Sequence, residues 1–162
     1  EEWIPIAGSL EAIARLNRAH YTVVVATNQS GLARGMFDVG MLNRIHSKMR
    51  TLLSDAGGHV EAIFFCPHGP DDGCECRKPS PGLMLQIAKR LHVDLINVPI
   101  IGDSLRDLQA AQAVGARPML VRTGKGERTL ASAADLSTTD LEGIPVYNDL
   151  ATAVDALLQA ES

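Results

Sequence analysis

The chain has only three cysteines, no marked excess of either charge and no long apolar run, and each shortage excludes a class of protein. Three cysteines cannot all pair, and Cys74-Glu75-Cys76 is a poor geometry for a disulfide, which argues against a secreted disulfide framework. A net charge of −4 and a pI near 5.7 provide no field that would gather nucleic acid or an anionic membrane surface. No segment is long enough to span a bilayer, and no charged-then-apolar leader opens the chain, so with thiols kept reduced the expected compartment is the cytoplasm. No repeat, low-complexity tract or linker marks a second domain. What is present, 46% apolar residues with mixed charge over 162 positions, is enough for one globular domain, residues 1–162, that handles a small molecule.

The densest chemistry lies in Cys66-Pro67-His68-Gly69-Pro70-Asp71-Asp72-Gly73-Cys74-Glu75-Cys76-Arg77-Lys78-Pro79. Cys66, His68, Cys74 and Cys76 suit one tetrahedral zinc, because thiolate sulfur and imidazole nitrogen are preferred ligands and a Gly/Pro-rich turn lets them converge. Four protein ligands leave no open position, so this zinc is expected to be structural and to position Arg77 and Lys78. Incidental reduced cysteines are the alternative. Free buried cysteine, however, usually sits in an apolar run, whereas Cys74 and Cys76 flank Glu75 in a polar loop.

Strands alternate with amphipathic helices along the chain. Thr22 to Ala26, Ala62 to Phe65, Val98 to Ile101 and Met119 to Val121 are short apolar runs rich in β-branched residues, as expected of strands buried on both faces, with Ile144 to Tyr147 a weaker fifth. Helices are predicted with Ser9 as N-cap, with Asp38 as N-cap and a Gly57-Gly58 stop, from Pro81, from Ser104, and over Leu150 to Ala160. The class is α/β, a parallel sheet with helices on both faces.

Open α/β sheets place ligands at the carboxyl ends of their strands. Thr27-Asn28-Gln29-Ser30-Gly31 follows the first strand as a chemical cradle for phosphate, though such residues also form ordinary turns. Arg77 and Lys78 end the loop after the second strand and offer donors to phosphate oxygens; a lysine before proline is also a common solvated surface residue. Gly102-Asp103-Ser104-Leu105-Arg106-Asp107 follows the third, where Asp103 either offers oxygens to a hard cation such as Mg²⁺ or neighbours a helix N-cap. His20, His46, His59 and His92 read as surface residues beside helices, Trp3 as packing, and Gly124-Lys125-Gly126 as a turn that lacks the spacing of a phosphate loop.

In this order, an apolar strand ending in Thr27-Asn28, then Lys78, then Gly102-Asp103 with Asp107, the chain resembles the haloacid dehalogenase superfamily of phosphotransferases, in its zinc-loop branch. Trp3-Ile4-Pro5, Gly8-Ser9-Leu10, Cys66-Pro67-His68 and Cys76-Arg77-Lys78-Pro79 carry the likeness further, from Glu1 to about Gly124. The resemblance implies a Rossmann-like fold with a minimal cap and a monomeric, Mg²⁺-dependent phosphatase working through an aspartyl-phosphate. Its substrate would be a small sugar bisphosphate, a heptose derivative on the way to lipopolysaccharide core. It further implies catalytic roles for Thr27 and Lys78, substrate contacts from Thr27, Asn28, Gln29, Ser30, Arg77 and Lys78, magnesium on Asp103, and a supporting role for Asp107.

One departure matters. The superfamily's nucleophile and general acid belong to an Asp-x-Asp motif at the end of a first, central strand, and no Asp-x-Asp occurs in these residues. The expectation is that a strand and loop of about 15–25 residues belong ahead of Glu1, between the strands ending at Ala26 and Ile101, and that without them the chain is an incomplete or inactive species. Two alternatives remain open: a histidinol-phosphate phosphatase of the same branch, and a zinc-stabilised domain that binds sugar phosphates without turnover.

Overall fold

The structure, a computed structural model, describes residues 8–28, 39–66, 82–136 and 143–160. In chain order the elements are α1 (Ser9–Arg18), β1 (Val24–Asn28), α2 (Val39–Asp55), β2 (Ala62–Cys66), α3 (Gly82–Leu91), β3 (Pro99–Gly102), α4 (Leu105–Ala113), β4 (Arg117–Val121), α5 (Gly126–Leu136), β5 (Val146–Tyr147) and α6 (Leu150–Ala160). This is the α/β alternation expected from the sequence. It falls into two compact units, Glu1–Cys74 with Val154–Ser162, and Glu75–Ala153.

In the first unit β1 pairs in parallel with β2, from Val24 beside Ala62 to Asn28 beside Cys66. The ladder is extended backwards by the Glu61 N–H donating to the Val23 carbonyl at 2.8 Å. α1 packs against α2, and Ala12, Ala14, Leu16, Leu53 and Val60 are buried. Asn17 holds the turn region together: its Oδ1 accepts from the His59 N–H at 2.7 Å, and its amide nitrogen donates to the Tyr21 carbonyl at 3.2 Å. α2 stops at the predicted glycines, where the N–H groups of Gly57 and Gly58 return to the carbonyls of Ser54 and Leu53.

In the second unit β3, β4 and β5 form a parallel sheet in that order, with Ile101 beside Met119 and Val121 beside Tyr147. α4 packs on β3 and β4. Leu83, Ile87, Leu108, Ala111, Met119 and Leu120 are buried, and full burial of a leucine such as Leu108 or Leu120 contributes about 1.5–3 kcal/mol.

Several boundaries differ from the sequence expectation. Thr27 and Asn28 lie inside β1 rather than after it, and Cys66 closes β2, because the parallel ladder continues through both pairs. Ser9 is the first residue of α1; the N-cap is Gly8, at φ 84°, with no capping side chain. α5 was not anticipated, since its glycine start reads locally as a turn. Burial on both faces holds for Met119–Val121, but Val24–Ala26 and all of β3 are only half-buried. β4 is flanked on both edges, whereas β1 and β3 each pair on one edge among the described residues. Asp38, Pro81 and Trp3 lie outside the described residues.

Asp149 caps α6: its Oδ1 accepts from the Thr152 N–H at 2.8 Å and from the Thr152 hydroxyl at 2.7 Å. The hydroxyl bond first, then the backbone bond, lower the Asp149 pKa from its ordinary 3.8. A depressed carboxylate pKa favours the folded state above 3.8, and the advantage fades as pH falls through the lowered value. Asp149→Ala should therefore melt below the wild type at neutral pH, with the gap shrinking in acid. Asp149→Asn, a neutral acceptor, should show little of this pH dependence in the same thermal melts.

Candidate functional site

The carboxyl end of β3 is built by a reciprocal capping arrangement. Ser104, in extended conformation at φ −131° and ψ 156°, caps α4: its Oγ accepts from the Asp107 N–H at 3.3 Å. The Asp107 Oδ2 in turn accepts from the backbone N–H groups of Asp103, at 3.2 Å, and Ser104, at 3.3 Å. One carboxylate thus satisfies two donors that the strand-to-helix change of direction would otherwise leave unpaired. Gly102 makes room for it, since a Cβ there would sit 2.5 Å from the Asp107 Cβ.

Asp103 is left with its side chain at the strand end, and it is half-buried. Its Oδ2 accepts from the Lys125 N–H at 3.0 Å, and its backbone carbonyl accepts from the Thr129 hydroxyl at 2.8 Å. Among the described residues Oδ1 makes no hydrogen bond. A carboxylate with one oxygen anchored and the other open is a suitable monodentate ligand for a hard divalent cation, so the donor chemistry at Asp103 fits magnesium.

Thr27 and Asn28 end β1, and Asn28 is in register with Cys66 at the end of β2. The backbone therefore brings the first residues of the expected phosphate cradle and the first expected zinc ligand to one end of one sheet. Gln29, Ser30, His68, Cys74, Cys76, Arg77 and Lys78 lie outside the described residues. Among the described residues no group of three metal-ligating side chains converges.

His59 lies 3.5 Å from Glu61. His46, half-buried on α2, differs from the surface expectation, and desolvation first, then Arg50, lower its pKa. Sequence reasoning missed Thr129 and the Gly124-Lys125 turn as neighbours of Asp103. The signal was a Gly-x-Gly following a strand, with a hydroxyl one helical turn on, and it was read as a loop alone.

Comparison with known proteins bears on what such a strand end does. A family described as HAD-hydrolase-like matches residues 75–153, the same span as the second unit. The chain is 58% identical over 159 residues to a D-glycero-beta-D-manno-heptose-1,7-bisphosphate 7-phosphatase of Bordetella bronchiseptica, covering 98% of this chain and 86% of that protein. It is 52% identical, with the same coverage of both, to the enzyme of that name in Pseudomonas aeruginosa. Among solved structures it resembles the D,D-heptose 1,7-bisphosphate phosphatase of B. bronchiseptica in complex with magnesium and phosphate. That match has a TM-score of 0.91 at 57% identity and covers 98% of this chain and 86% of the other.

The Asp107 carboxylate should be the costly member of the strand-end cluster to remove. In urea unfolding, Asp107→Ala is expected to lose about 1–2 kcal/mol, the range for a lost cap, and Asp107→Asn less, because an amide oxygen still accepts. Equal stability of Asp107→Ala and the wild type would refute the role assigned to that side chain.

Proposed function

This chain belongs to the haloacid dehalogenase superfamily as a phosphatase, and from that premise we propose that it removes the C7 phosphate of D-glycero-D-manno-heptose 1,7-bisphosphate, in lipopolysaccharide core synthesis. The observation that carries this reading is the 58% identity, over 98% of the chain, to a relative of that name. It is supported by the placement of Asp103 at a strand end with one carboxylate oxygen open.

The chemistry divides into two displacements. A carboxylate attacks the C7 phosphorus in line, the C7–oxygen–phosphorus link breaks on the phosphorus side, and a second carboxylic acid gives its proton to the departing sugar oxygen. Water then attacks the aspartyl-phosphate, losing a proton to the same carboxylate, and inorganic phosphate leaves. The resemblance assigns the nucleophile and the acid to an Asp-x-Asp motif, which these 162 residues do not contain. Magnesium, when bound, offsets the repulsion between carboxylate and phosphate. Asp103 would be its ligand from this chain. The Thr27 hydroxyl and the Lys78 ammonium hold the non-bridging phosphate oxygens as charge shifts onto them. Asn28, Gln29 and Ser30 line the substrate site, and Arg77 adds recognition through its paired donors. Asp107 keeps the Asp103 backbone in place.

A structural zinc on Cys66, His68, Cys74 and Cys76 would shape the loop that presents Arg77 and Lys78, and three thiolates with one imidazole are a donor set zinc favours. The enzyme would act as a cytoplasmic monomer on a freely diffusing sugar bisphosphate. No helix among the described residues is long and apolar enough to cross a membrane.

The deciding assay is phosphate release by the full polypeptide from heptose 1,7-bisphosphate, compared with histidinol phosphate. Heptose bisphosphate should be preferred, chelation should abolish turnover until Mg²⁺ is restored, and Asp103→Asn should lower kcat by about 100-fold or more. A preference for histidinol phosphate would reassign the substrate. The zinc assignment is checked by elemental analysis, with zinc equimolar to protein in the wild type and depleted in Cys74→Ser.

A further inference from the structure

Gly124-Lys125-Gly126 is a motif the proposed reaction leaves unused, yet in the structure it wraps around Asp103. Lys125 contributes its backbone N–H, 3.0 Å from Asp103 Oδ2. Gly124 stands at φ +61°, where a Cβ would collide with that same oxygen. At Gly126 a Cβ would collide with the Val121 carbonyl oxygen, so the turn can draw back against the end of β4 only with glycine there. One turn into α5, the Thr129 hydroxyl has two acceptors within reach, the Asp103 carbonyl at 2.8 Å and the Lys125 carbonyl at 3.1 Å. Its single proton serves one of them at a time, and the Asp103 carbonyl is the nearer.

Asp103 is therefore held at three atoms by groups from two directions. Asp107 fixes its N–H from α4, while Thr129 fixes its carbonyl and Lys125 its Oδ2 from the β4–α5 turn. With those atoms engaged, the carboxylate has little freedom to rotate, and among the described residues Oδ1 is the oxygen left over. A freely rotating carboxylate would lose rotamer entropy on binding a cation, and this one has lost it already.

We propose that the Gly124-Lys125-Gly126 turn and Thr129 form a positioning clamp that presents Asp103 Oδ1 to the divalent cation, so that the end of β4 sets metal affinity. The clamp rests on the reading of Asp103 as the magnesium ligand. Thr129 and Gly124 touch neither substrate nor metal in this scheme; they act through Asp103.

The test measures divalent-cation binding without substrate, with Mn²⁺ followed by electron paramagnetic resonance, on the full polypeptide and its Thr129→Val, Thr129→Ser and Gly124→Ala variants. Thr129→Val and Gly124→Ala should weaken Mn²⁺ binding by about 10-fold or more, the range seen when a group supporting a metal ligand is removed, and Thr129→Ser should restore it to near the wild-type value. In turnover assays the same two variants should need more Mg²⁺ for half-maximal rate while the KM for the sugar bisphosphate stays unchanged. Wild-type Mn²⁺ affinity in folded Thr129→Val and Gly124→Ala would overturn the clamp, whatever the substrate. A weakened KM with unaltered metal affinity would overturn it too. A wild type that binds Mn²⁺ as described but releases no phosphate from heptose 1,7-bisphosphate would defeat the proposed substrate and leave the clamp standing.

Discussion

The carboxylate of Asp107 is the interaction on which the strand-end arrangement depends. A parallel strand that turns directly into a helix leaves backbone donors pointing away from both, and in β3–α4 those donors belong to Asp103 and Ser104. Leaving such a donor buried and unpaired costs about 1–3 kcal/mol, so the junction requires an acceptor within reach. Asp107 supplies it from the first turn of α4, and Gly102 supplies the space. The placement of the Asp103 backbone follows from that local geometry. That junction is anchored through the Asp103 backbone and does not engage its carboxylate.

The second unit shows how a modest core is directed toward that end. α4 buries Leu108, Ala110 and Ala111 and packs on β3 and β4, whose Met119 and Leu120 are buried. Small residues at Ala110 and Ala111 let the helix lie close to the strands, so its N-terminus is held by packing as well as by its cap. In the first unit the corresponding strand ends, Asn28 and Cys66, lie side by side in the ladder.

Much of this was legible in the residue order because the signals are local. The helix opening at Ser104 forms as read, and the capping box that Asp107 closes with it acts over only three residues. Leu150–Ala160 and the Gly57-Gly58 stop were likewise visible, since amphipathic spacing and glycine at a helix end act within a few residues. The strand ends were displaced by one or two residues because a strand's length is decided by its partner: the β1–β2 ladder runs on through Thr27 beside Phe65 and Asn28 beside Cys66. Ser9 was read as a cap from its hydroxyl, yet Gly8 occupies that position. The start of α5 was hidden because two glycines around a lysine favour a turn in isolation; here Gly126 is needed for close approach to Val121.

By itself, the sequence determined the α/β alternation, the chemistry available at each strand end and the superfamily to which the chain belongs, because apolar periodicity and short motifs are properties of neighbouring residues. Only the tertiary structure decided that the Asp103 carboxylate is gripped at Oδ2 by Lys125 and its carbonyl by Thr129, 22 and 26 positions further along the chain. No local pattern encodes that grip. It arises because parallel pairing of β3 with β4 brings the two strand ends side by side, and that pairing is set by the burial of a whole sheet rather than by any one residue.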